Sequence, residues 1–144
     1  MSFNPQRLQL DTAFAHIDKG NYEAAAPVLR RFAEQGDIDA QYQLAFMLEH
    51  GLGVKTDLEG AVHWYAKAAE QGDLAAQFNL AECLEDGVGT AQDYVQAAFW
   101  YAKAAEQGDV DAQNQLARLH AEGLCGPQDY AEAARYWHMA AAQE

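Results

Sequence analysis

The stretch Trp64-Tyr65-Ala66-Lys67-Ala68-Ala69-Glu70-Gln71-Gly72-Asp73 decides the fold, because it returns unchanged at residues 100–109. The interval of 36 residues is kept by Gly36, Gly72 and Gly108, by Ala40, Ala76 and Ala112, by Leu44, Leu80 and Leu116, and by Gly51, Gly87 and Gly123. A fixed period of this order marks a stacked repeat protein, in which no copy can bury its apolar stripe alone.

Working outward from that stretch, aspartate and glycine punctuate each copy into two helices. Asp57, Asp93 and Asp129 precede alanine-rich segments with apolar residues at helical spacing, such as Ala61, Trp64, Tyr65, Ala68 and Ala69. Each aspartate is therefore expected to cap a helix by accepting from amides that have no partner within it. Gln96 and Glu132, three residues on, predict capping boxes. Gly72 and Gly108 end the helices, since glycine takes the left-handed conformation without a steric penalty, and Asp73 and Asp109 open the next ones. One copy thus predicts a helix at about Ile38–His50, a glycine loop, a second helix at about 57–71, and a two-residue turn.

The first copy differs. Asn4-Pro5 opens its first helix with a capping side chain followed by proline at the first helical position. Gly20-Asn21-Tyr22 joins its helices directly, and Pro27 falls two turns into the second, at about 21–35, where a missing amide donor predicts a kink. In the fourth copy, Gly123-Leu124-Cys125-Gly126-Pro127 moves the second loop glycine by one place, so its loop is expected to depart from Gly51-Leu52-Gly53 and Gly87-Val88-Gly89. The four units, about 5–36, 37–72, 73–108 and 109–144, are expected to form one domain over 1–144.

Nine Lys+Arg against 22 Asp+Glu give a formal charge of -13. Long-range repulsion argues against nucleic acid, whose binding is driven by cations, and favours basic protein or peptide partners. The amino terminus has no apolar core of the kind a secretory signal needs, and no run is long enough to span a bilayer; a cytoplasmic protein without membrane insertion is expected, unless the start has been trimmed. Cys83 and Cys125 occupy different repeat columns, which suits a buried thiol and a loop residue in a reducing compartment better than a disulfide framework.

Three copies of Ala-x-x-x-Leu-Ala, a glycine-rich loop, Asp-(Tyr or Leu), and Ala-x-x-(Trp-Tyr or Tyr-Trp) resemble the Sel1-like repeat, a relative of the tetratricopeptide repeat. Gly20-x-Tyr22-x-x-Ala25 in the first copy looks more like a plain tetratricopeptide unit. The resemblance spans about residues 8–142. It implies an all-α, right-handed superhelical solenoid of about four helix pairs that serves as an adaptor or scaffold, often in bacterial signalling, secretion or envelope processes. Some secreted cysteine-rich relatives act on β-lactams, but their regularly spaced cysteine pairs are missing here.

Columns that hold the same residue type in every copy are explained by stacking. Leu44/Leu80/Leu116, Ala68/Ala104/Ala140 and the aromatic pairs Trp64-Tyr65, Trp100-Tyr101 and Tyr136-Trp137 are expected in the core. Function should sit where copies differ and point outward. With the first helix of each copy on the concave side, as the resemblance implies, those positions are Leu10 and Phe14, then Asp39, Tyr42, Phe46, Glu49 and His50, then Phe78, Glu82 and Glu85, then Asn114 and Arg118. The expected groove is aromatic towards the amino end and acidic across the middle, and rigid aromatics in a concavity are the usual anchors of a binding hot spot. The competing reading turns some of these rings inward.

Other chemistry finds little support. The five histidines share no column and none shows the His-Glu-x-x-His spacing of a metal site. Ser2 is the only serine, and neither cysteine has a histidine placed by helical spacing, so no nucleophile with its base is expected. No glycine loop has the spacing that cradles a phosphate. The sequence therefore predicts a non-enzymatic protein-binding adaptor without metal or cofactor. Its rivals are a self-associating subunit, a homodimer through the C-terminal helical face around Trp137 and Met139, and, more remotely, a β-lactam-binding enzyme.

Overall fold

Aspartate, asparagine and glycine divide the chain into eight α-helices: α1 (Pro5–Asp18), α2 (Tyr22–Glu34), α3 (Ile38–His50), α4 (Leu58–Glu70), α5 (Leu74–Asp86), α6 (Tyr94–Glu106), α7 (Val110–Glu122) and α8 (Tyr130–Ala141). The computed structural model describes residues 3–143, and no strand occurs among them. Met1, Glu144 and Ser2, the single serine, lie outside the described residues.

The punctuation works as the residue chemistry dictates. Asp37, Asp73 and Asp109 accept from the amides of Ala40, Ala76 and Ala112, and Asp57, Asp93 and Asp129 from those of Gly60, Gln96 and Glu132, all at 2.8–3.2 Å. Asn4 caps α1 by accepting from Gln6 and Arg7. Gly51, Gly87 and Gly123 end α3, α5 and α7 in the left-handed region, at φ 66°, 70° and 68°.

Among the local expectations, one needs correction. The capping boxes are not completed, because the amides of Asp93 and Asp129 already donate to the carbonyls of Leu84 and His120 at 2.7 and 2.8 Å. Glu132 is left to pair with Arg135 on its own helix, and that bond holds its carboxyl below the usual range. Helix α2 runs through Pro27 without a break, since the ring is on an exposed face and the carbonyl it leaves unpaired belongs to Glu23, which is also exposed. In the fourth loop Cys125 stays out of positive φ and Gly126 takes φ 155°, so the loop is rerouted as the shifted glycine suggests.

Contacts divide the chain into two compact units, Met1–Gln71 and Gly72–Glu144. In the first, α1 packs on α2, α2 on α3 and α3 on α4, around buried Leu10, Leu29, Leu44, Met47 and Tyr65. In the second, α5 packs on α6, α6 on α7 and α7 on α8, around Tyr101, Leu116 and Leu119. Alanines at 0–2% exposure, such as Ala68 and Ala104, let the helices approach closely, so the large rings fill what space remains.

A glutamine seam, unanticipated from the sequence, ties the copies together inside each unit. In the first, Gln71 Nε2 donates to Gln41 Oε1 at 2.8 Å and to the Gly36 carbonyl at 3.0 Å, while Gln41 Nε2 donates to the Ala33 carbonyl. In the second, Gln107 reaches Gln77 and the Gly72 carbonyl in the same way, and Gln143 reaches Gln113, whose own amide donates to the Ala105 carbonyl. Gln41, Gln77 and Gln113 are 4%, 4% and 1% exposed, so these bonds satisfy polar groups that would be costly to bury alone.

Candidate functional site

In the first unit the helical period of α3 places Tyr42, Phe46 and Glu49 on one face, with Asp39 a turn earlier and His50 at the helix end. Tyr42, Phe46 and Glu49 are half-buried and Asp39 and His50 exposed. Phe14 of α1, also half-buried, joins Arg7, Asp39, Tyr42 and Gln43 in lining an open hollow of about 310 Å³. Leu10 does not belong to this face. At 1% exposure it is a core residue, because the turn of α1 that carries it faces α2 rather than the hollow.

Each ring has a fixed neighbour. Tyr42 leans on Tyr65 with centroids 5.9 Å apart, and Phe46 lies 4.3 Å from the His50 imidazole. The hydroxyl of buried Tyr65 donates to Glu49 Oε2 at 2.7 Å, and His50 Nδ1 is 3.8 Å from the same oxygen.

The second unit repeats the joint with different surroundings. Tyr101 donates to Glu85 Oε2 at 2.8 Å, and Phe78 meets the Tyr101 ring edge-on at 5.5 Å. Burial, and then the bond to Glu85, raise the Tyr101 phenol far above the ordinary tyrosine range. Arg118 donates to Glu85 Oε1, to Gln115 at 3.1 Å and to Glu122 at 3.4 Å. Glu82 and Asn114 are exposed. Phe78 is half-buried and packs partly against the core, so the inward reading holds for much of that ring.

The fourth helix pair breaks the pattern. Ala121 stands in the column of Glu49 and Glu85, and Trp137 in that of Tyr65 and Tyr101. Trp137 is 44% exposed rather than part of the core, while Tyr65 and Tyr101 are sealed. Tyr136 is half-buried and stacks on His120 at 6.0 Å. The loop also brings Cys125 Sγ to 3.8 Å from His120 Nδ1, a pairing that helical spacing could not reveal because one partner lies outside the helix. Burial pushes this thiol up, away from the thiolate a nucleophile needs. An apolar hollow between α1 and α2, lined by Leu8, Ala13, Ala24 and Val28, also went unanticipated.

Among the described residues no three His, Cys, Asp or Glu side chains converge as a metal site, and no helix is long and apolar enough to cross a membrane.

Comparison with known proteins follows the repeat spacing. The family model for the Sel1 repeat matches residues 38–73, 74–109 and 110–144. The chain belongs to the Sel1 repeat family. Sel1 repeat proteins generally mediate protein–protein interaction and are typically non-enzymatic. The Sel1 chain superimposes on a protective antigen of uropathogenic Escherichia coli with an SLR fold at TM-score 0.90 and 30% identity, covering 96% of this chain and 30% of that one. A Sel1 repeat protein from Oxalobacter formigenes gives TM-score 0.85 and 36% identity, over 94% of this chain and 56% of that one. The chain therefore spans about a third and about half of these longer relatives. Cysteine rich protein B of Helicobacter pylori, at TM-score 0.60 and 20% identity over 74% of this chain and 91% of that one, shares the fold. No curated protein matches.

Proposed function

We propose that this Sel1 chain is a protein-binding adaptor whose principal contact surface is the aromatic and acidic face of α3 beside α1, with the acidic face of α5 and α7 as a second contact region. The observation that carries this reading is the set of half-buried rings Phe14, Tyr42 and Phe46: the first two line an open hollow, and Tyr42 and Phe46 rest against Tyr65 and His50. Rings already ordered by the frame lose little freedom on binding, so a docking segment gains contact area at small entropic cost. The charge of -13 supports a basic or basic-apolar partner through steering. Copurification with mass spectrometry tests the proposal. Phe46→Ala, or Tyr42→Ala, is expected to abolish capture of the partners found with the wild type while leaving helicity unchanged. Identical partner sets for wild type and variant would show the face to be inert.

A second reading, self-association through α8, rests on exposed Trp137 and Tyr130. A large apolar ring left at 44% exposure favours contact with another surface. Light scattering at high concentration decides it: a dimer that Trp137→Ala dissolves supports the reading, and a strict monomer removes it.

A further inference from the structure

The two tyrosine–glutamate joints differ in one respect that points to a ligand. On Glu85, Tyr101 takes Oε2 and the Arg118 guanidinium takes Oε1, so both carboxylate oxygens are engaged within the chain. Arg118 is held there by further acceptors on Gln115 and Glu122. On Glu49, Tyr65 takes Oε2 in the same manner, yet no arginine or lysine among the described residues pairs with that carboxylate. The Glu49 side chain is 28% exposed against 15% for Glu85, and the half-buried ring of Phe46 lies one helical turn before it.

We propose that Glu49 receives the guanidinium of an arginine in a bound partner segment, in the role that Arg118 plays on Glu85. The proposal rests on the adaptor reading and names the chemistry of its partner: a segment carrying an arginine beside an apolar residue. Tyr65 fixes the carboxylate's orientation before binding, so the ligand does not have to order it. A planar guanidinium matches a carboxylate and can also stack on an aromatic face, which an ammonium does less well, so arginine is selected over lysine. The acidic net charge draws such a segment in, and the rings of Tyr42 and Phe46 offer its apolar neighbour a surface.

The test is an amide-resolved NMR titration with N-acetyl-arginine methylamide, run beside the uncharged isostere N-acetyl-citrulline methylamide and the lysine analogue. The arginine probe is expected to move the signals of Phe46, Glu49 and His50, with the lysine analogue weaker and the citrulline analogue without effect. Glu49→Gln should weaken the response about tenfold or more, as loss of a charged hydrogen-bond partner implies. Arg118→Gln should open a second site on Glu85, a gain that a merely folded or unfolded variant would not produce. Shifts that survive Glu49→Gln, or an equal response to citrulline, overturn the proposal. Its failure is separable from that of the adaptor reading: no probe response at Glu49 with capture still lost in Phe46→Ala overturns the arginine site alone, whereas capture indifferent to Phe46→Ala overturns both.

Discussion

The pair α3–α4 and the pair α7–α8 are built on the same repeat and diverge at the joint between their helices. Both carry the aspartate cap, the left-handed glycine, the central leucine and the buried glutamine. In α3–α4 a tyrosine is locked onto a glutamate and sealed; in α7–α8 the glutamate column holds alanine, and a tryptophan is left partly in solvent. The difference separates two jobs within one repeat. Columns that must meet in every copy make the frame, and columns released from that duty set what each face presents.

Breaking the shared part should give the largest effects, and equal ones. Leu44 and Leu116 occupy the same column at 0% and 2% exposure, so Leu44→Ala and Leu116→Ala are each expected to cost about 2–5 kcal/mol, read by denaturant unfolding. Markedly unequal losses would show that the frame is not shared.

The loops should respond unequally. Gly53 sits at φ 67°, and a Cβ there would lie 2.4 Å from the Tyr22 carbonyl carbon, so Gly53→Ala should cost about 1–3 kcal/mol or more. Cys125, its counterpart in α7–α8, stays out of positive φ, and Cys125→Ala should change the melting temperature much less.

The joint itself should give the smallest effect on stability at neutral pH. Tyr65→Phe removes the hydrogen bond to Glu49 and should cost about 0.5–1.5 kcal/mol, whereas Trp137→Phe should fall within about 0.5 kcal/mol of the wild type. The sealed joint of α5–α6 adds a pH signature. Because Tyr101 ionises far above its unfolded value, its contribution is whole below about pH 10 and is lost as pH rises beyond that. Alkaline unfolding of wild type against Tyr101→Phe measures it, and a stability difference unchanged through that window would refute the joint's role.

The helices and caps were legible because they depend on residues a few positions apart: aspartate accepts from an amide three residues on, and glycine turns the chain where it stands. Repetition then supplied the core, since a column occupied alike in every copy has to be explained by what every copy shares. Leu10 was misplaced because the short link between α1 and α2 shifts α1 out of the 36-residue columns that α2 still keeps, leaving α1 without an internal reference. The glutamines at 41, 77 and 113 were in plain view as a column, but glutamine is a surface residue by composition, and only the seam explains its burial. Trp137 has two places in the sequence, the core by analogy with Tyr65 and Tyr101 and an exposed C-terminal face, and its 44% exposure agrees with the second. The meeting of Cys125 with His120 depends on a loop path that no helical spacing encodes.

The seam has a consequence for how such a chain changes length. Because the hand-off always runs from the glutamine at the end of one copy to the glutamine 30 residues back at the start of that same copy, its grammar is indifferent to which copy speaks. Recombination that slips by one full period rejoins matching amides, while a slip of any other size severs them. Gain and loss of whole copies is thus the cheap route of variation, and the reading faces can be lengthened or trimmed without redrawing the scaffold beneath.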